Sequence, residues 1–130
     1  MQASESPLTF DSADVLDRID QMDDASLDRL AFGVIAFDSE TRVLRYNARE
    51  ARFSGLRAHQ LLGQAMFTEL AQCMNNYLVA QRFEDARAAG DPLDATVDYV
   101  LTWRMKPSKV QLRLLYAPDS ALSYVLLRHD

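Results

Sequence analysis

The chain reads as a single α+β domain, and three observations lead to that reading. Its 130 residues are 48% hydrophobic and 25% charged, the size and balance of one ordinary globular unit. Short segments at helical spacing come first and in the middle. Alternating, β-branched and aromatic segments flank that middle, so helices and antiparallel strands are segregated along the chain.

The elements follow in order. After a loose lead-in, Ser12 is placed to cap a short helix whose apolar residues Val15, Leu16, Ile19 and Met22 recur on one face. Asp23, Asp24 and Ser26 punctuate, and a second turn through Leu27 and Leu30 runs into Ala31-Phe32-Gly33-Val34-Ile35-Ala36-Phe37, short enough for a buried strand. The polar Asp38-Ser39-Glu40-Thr41 and the strand-forming Val43-Leu44-Arg45-Tyr46 complete a β-hairpin.

From Asn47 to Asn76 the period is irregular, with Gly55 and Gly63 interrupting helical fragments at His59 to Leu62 and Met66 to Leu70; a pocket wall belongs there. Tyr77 to Ala89 forms one longer helix with Val79, Phe83 and Ala86 on a face and Gly90 in the C-capping place. Two long strands follow, one through Val97, Tyr99, Leu101 and Trp103 and one through Val110, Leu112 and Leu114, with Lys106-Pro107-Ser108 turning between them. Tyr124 to Leu127 is the last strand. With helices on one face of the sheet, the amphipathic N-terminal segment is expected to cover the other, dividing the chain into a cap at 1–28 and a core at 29–130 that fold as one domain.

A net charge of −5 with scattered basic residues removes the electrostatic basis for binding nucleic acid or anionic membranes. One cysteine makes no internal disulfide, and two histidines at His59 and His129 make no metal cluster, so a reducing, cytoplasmic setting is expected. The first residues lack the charge and apolar run of a signal segment, and no stretch approaches the roughly 18 apolar residues of a membrane span. A monomer or weak dimer is expected.

Met22-Asp23-Asp24, Leu27-Asp28 and Leu30-Ala31-Phe32-Gly33 open a pattern that continues through Tyr46-Asn47-Ala48, Glu50, Ser54-Gly55, Gly63, Phe67 and Ala71-Gln72-Cys73, then Met105, Pro107, Lys109-Val110 and Ser123-Tyr124. In order and spacing this pattern resembles the photoactive yellow protein family from about Val15 onward, with an insertion of about one residue between Asp91 and Thr96. The resemblance implies a PAS fold with a five-stranded antiparallel sheet, and a blue-light photoreceptor in sensory signalling rather than an enzyme.

It further implies that Cys73 carries p-coumaric acid (4-hydroxycinnamic acid) as a thioester, formed through the thiolate. Position alone favours reading Cys73 as a small buried hydrophobe with no role. The resemblance assigns Tyr46 and Glu50 as hydrogen-bond donors to the chromophore's phenolate. Their four-residue separation, from a strand end into a helical turn, allows a shared cavity, though a core-edge tyrosine and an exposed carboxylate are the commoner fates. Donation requires a protonated Glu50, raised by desolvation beside a like charge. The implied signal is transfer of that proton after photoisomerisation, leaving a buried carboxylate that loosens the fold for a downstream partner of unknown identity.

Ser54 stands where the family has a threonine bonding the tyrosine hydroxyl, and is otherwise a turn serine; Met105 resembles a methionine that assists recovery, and is otherwise a loop residue. Leu56 replaces a frequent arginine, with Arg52 and Arg57 nearby. Met66, Phe67 and Leu101 complete the implied lining; Met66 and Leu101 replace phenylalanines. Gln72, Trp103 and Val125 also depart from the pattern, replacing a proline, a tyrosine and a tryptophan. Asn47 is read as holding the turn after the strand. Three competing readings stay open: a PAS module binding another ligand or only a protein, with Cys73 unmodified; a flavin sensor, disfavoured by Gln72-Cys73-Met74; and a cysteine hydrolase, for which His59 is the nearest base in sequence.

Overall fold

The computed structural model describes residues 8–54, 62–101 and 107–129. Helices α1 (Val15–Gln21) and α2 (Asp24–Leu27) precede strands β1 (Gly33–Phe37) and β2 (Val43–Tyr46), then α3 (Ala48–Ser54). A π-helical turn (Met66–Leu70) and a 3-10 turn (Gln72–Met74) lead to α4 (Ala80–Ala89), β3 (Leu93–Leu101), β4 (Ser108–Tyr116) and β5 (Ser123–His129). The five strands form one antiparallel sheet in the order β2-β1-β5-β4-β3, the expected α+β architecture.

Strand β1 shows why its sequence does not alternate in polarity. All five of its residues are buried, because apolar layers cover both faces of the sheet. Ile35 and Phe37 join Val125, Leu127, Leu112, Leu114, Phe67 and Phe83 on the helical side. Val34 and Ala36 join Tyr124, Leu126 and Leu115 on the other side, against Phe10, Val15, Ile19 and Leu27 of the N-terminal segment. On the helical side Phe37 meets Phe67 and Phe83 edge-on, with ring centroids 5.3 and 5.0 Å away.

Arginines on the sheet's outer face hold the N-terminal segment by its backbone. Arg45 on β2 donates to the carbonyls of Ile19 (3.0 Å) and Met22 (2.6 Å) at the C-terminal end of α1. Arg113 on β4 grips Asp94 through two hydrogen bonds of 2.8 Å and donates to the carbonyls of Phe10 (2.9 Å) and Ser12 (2.8 Å). Arg128 on β5 lies 4.4 Å from the centre of the Phe10 ring and pairs with Asp11 at 2.8 Å. The Tyr124 hydroxyl donates to Asp20 at 2.7 Å, and burial together with that carboxylate pushes its phenol well above the ordinary range.

Several boundaries differ from the sequence reading. Asp14, not Ser12, precedes the first turn of α1, because the Ser12 hydroxyl accepts from the backbone N–H of Thr9 instead. The long helix begins at Ala80 rather than Tyr77, since Asn76 Oδ1 takes the N–H groups of Leu78 and Val79 into a turn. Gly90 ends it at φ +70°, in the C-capping place expected. The last strand runs to His129, two residues beyond the expected end. The fragment at His59 to Leu61 and the strand end at Trp103 lie outside the described residues.

Candidate functional site

The site grows from the corner between β2 and α3. Asn47, 1% exposed, caps α3 by accepting the Glu50 N–H at 3.2 Å and the Val34 N–H at 3.0 Å. Its amide donates to the carbonyls of Leu27 (2.9 Å) and Phe32 (3.0 Å). One side chain therefore fastens the end of α2, the start of β1 and the first turn of α3 together. Asp28 adds a bond from the Ala48 N–H at 2.7 Å. With its backbone held at both ends of that turn, Glu50 projects inward and is 0% exposed.

A buried carboxyl needs partners, and Glu50 has an asymmetric set. Oε1 lies 2.9 Å from Nε2 of His129, near the end of β5. Oε2 is buried and has no hydrogen-bond partner among the described residues. Gly33 closes the space beside the pair: a Cβ added there would strike Oε1 and sit 3.1 Å from the carboxyl carbon. Burial holds the Glu50 carboxyl above the usual carboxylate range, and the hydrogen bond and charge of His129 only partly oppose it.

Tyr46, at the end of β2, is 6% exposed and belongs to the helical-side core. Met66, Phe67 and Leu101 are buried in the same cluster, and Cys73 packs against it while partly exposed. The structure thus brings Tyr46, Met66, Phe67, Leu101 and Cys73 to one side of the sheet. The side chain of Ser54, and Leu56 and Met105, lie outside the described residues, as does His59.

Two turns deliver Cys73. In the π-helical turn the N–H of Ala71 reaches the carbonyl of Met66 at 2.7 Å, five residues back, a widened turn that recurs at functional sites. The 3-10 turn follows, and its Cys73 carbonyl accepts from the Tyr99 hydroxyl and from Asn76 Nδ2 (3.2 Å). Asn76 also donates to the Tyr99 oxygen at 2.6 Å, so the cysteine backbone is clamped to edge strand β3. A surface hollow along β3 and β4 is lined in part by Leu78, Tyr99, Val100, Lys109 and Val110.

Sequence reasoning missed Gly33 and His129 as parts of this site and read Asn47 only as a turn residue. An asparagine just before a helical segment is an N-cap signal, so part of its role was readable. Nothing in spacing joins residues 33, 50 and 129.

Chemically, the arrangement offers a buried carboxyl raised toward its neutral form, a buried phenol and a partly exposed thiol. Glu50 Oε2 is the kind of orphaned polar atom that a bound group would satisfy. No cluster of three or more His, Cys, Asp or Glu able to hold a metal occurs among the described residues, and none of their helices is long and apolar enough to cross a membrane.

No protein-family model matches the chain. It is 33% identical over 107 residues to photoactive yellow protein of Rhodothalassium salexigens, covering 82% of this chain and 85% of that one. Among solved structures it resembles the photoactive yellow protein domain of the sensor histidine kinase Ppr from Rhodospirillum centenum, with a TM-score of 0.79, 35% identity, and coverage of 86% of this chain and 97% of that one. The PAS domain of an HTR-like protein from Haloarcula marismortui shares the fold alone, at a TM-score of 0.55 and 12% identity over 90% of this chain and 96% of that one.

Proposed function

The chain belongs to the photoactive yellow protein family, and from that premise we propose that it is a blue-light photoreceptor whose Cys73 carries a p-coumaroyl group as a thioester. The observation that carries this reading is Glu50: a buried, protonation-prone carboxyl whose Oε2 has no partner among the described residues. The residues present fit the group. Cys73 is accessible enough to be acylated, Tyr46 supplies a phenolic donor, and Met66, Phe67 and Leu101 supply apolar walls. When bound, the group supplies a phenolate and a double bond that light isomerises.

The chain's own residues do the rest. Glu50, held neutral by burial, and Tyr46 act as donors, and the two charge-assisted bonds favour an ionised acceptor between them. Loss of the Glu50 proton leaves a carboxylate 0% exposed to water. Its desolvation costs several kcal/mol, against a total stability of about 5–15 kcal/mol for an ordinary domain. Asn47 ties that same helical turn to Leu27, giving strain at Glu50 a direct route to the N-terminal segment. Residues 1–28 act in this reading as a releasable cap on a 29–130 core, and a protein partner reads the loosened state in the cytoplasm.

Incubation with activated p-coumarate tests the attachment. The expected result is a mass increase of one p-coumaroyl group and a yellow, light-bleachable product, both absent in Cys73→Ser. An unmodified sulfur and a colourless protein overturn the reading in favour of a PAS module without a covalent chromophore. Glu50→Gln tests the proton step. It keeps a hydrogen bond and supplies no proton, so full light-induced loosening in that variant contradicts proton transfer.

A further inference from the structure

Glu50 has two oxygens in different surroundings, and the protein decides between them. Oε1 is enclosed by Gly33 on β1 and by the His129 imidazole at 2.9 Å. Oε2 has no such neighbour among the described residues. A neutral carboxyl has one oxygen that only accepts and one that carries the proton, so whichever oxygen accepts from His129 sends the proton to the other. The His129 side chain is 13% exposed, whereas that of Glu50 is not exposed at all. The imidazole is therefore the more exposed member of the pair, although its Nδ1 is itself buried.

We propose that His129 is the positioning residue for the Glu50 proton: its Nε2–H holds Oε1, which places the proton on Oε2. This rests on the reading of Glu50 as a proton donor. Among the described residues His129 is the one ionisable group acting on Glu50. Its cross-strand partner on β4 is Val110, and β1 presents Gly33.

The first measurement needs no chromophore. Nitrogen NMR of the chromophore-free protein should find the His129 proton on Nε2. Nε2 acting as acceptor overturns the proposal. In loaded protein, His129→Leu should displace the infrared band of the protonated Glu50 carboxyl, and His129→Gln, which keeps a donor, should restore it. A band that stays in place in His129→Leu overturns the proposal as well. Failure to load chromophore strikes the photoreceptor reading, while the NMR comparison still decides the His129 pairing.

Discussion

Gly33 and Glu50 are in direct contact: the backbone of β1 passes so close to the carboxyl that a Cβ at residue 33 would overlap Oε1 and lie 3.2 Å from the Glu50 Cβ. The absence of a side chain at the first position of the strand is what lets a carboxyl occupy the interior beside the sheet. Glycine serves here for space, since its φ is not in the left-handed region.

Gly33→Ala should therefore push Glu50 off His129. Overpacking of this kind costs about 1–3 kcal/mol, and urea unfolding of the variant should show a loss of that size. The same variant should shift the His129 imidazole resonances toward those seen in Glu50→Gln. A variant as stable as the parent, with unmoved His129 resonances, would mean that the carboxyl has another place to go.

Asn47→Ala removes a buried side chain with bonds to Leu27, Phe32, Val34 and Glu50. Each lost bond is worth about 1 kcal/mol, and buried groups left unpaired add to that, so a loss of roughly 3–4 kcal/mol is expected by chemical denaturation. Asn47→Asp keeps the acceptor for Val34 and Glu50 and loses both donated bonds, so it should fall between the two.

The pH dependence of Glu50 has a definite sign. Its carboxyl is raised in the folded protein from the ordinary 4.5, so its favourable contribution is present below that value and is lost as pH rises through the folded one. Glu50→Gln has no such loss. Its stability relative to the chromophore-free parent should increase as pH rises above 4.5, read as a growing difference in Tm between pH 4 and pH 8. A difference that shrinks over that range would place the carboxyl's shift in the opposite direction.

Arg113→Met keeps much of the apolar stem while losing the bonds to Phe10, Ser12 and Asp94. Hydrogen exchange of the α1 amides should accelerate by about tenfold or more, as the loss of 1.4 kcal/mol or more from local opening requires. The amides of β1 and β5 should slow or quicken much less. Equal acceleration throughout would show that the segment and the sheet open together.

The α+β class, the strand order along the chain, the amphipathic α1 and the Gly90 helix end were legible from residues 8–129 because each depends on local period or on one backbone preference. The position of Cys73, Tyr46 and Glu50 in a family-like pattern was legible too, as a likeness in spacing. What tertiary structure alone decided is which groups complete the Glu50 site. Gly33, Asn47, Glu50 and His129 come from β1, the β2–α3 corner, α3 and the end of β5, up to 96 positions apart. Their meeting depends on β1 lying beside β5 in the sheet, a long-range pairing with no periodic trace in the sequence. The same holds for Arg45 and Arg113. A charged residue in a strand looks solvent-facing from its neighbours, and only the folded chain supplies the carbonyls of the N-terminal segment that make the outer face of this sheet a place for arginine.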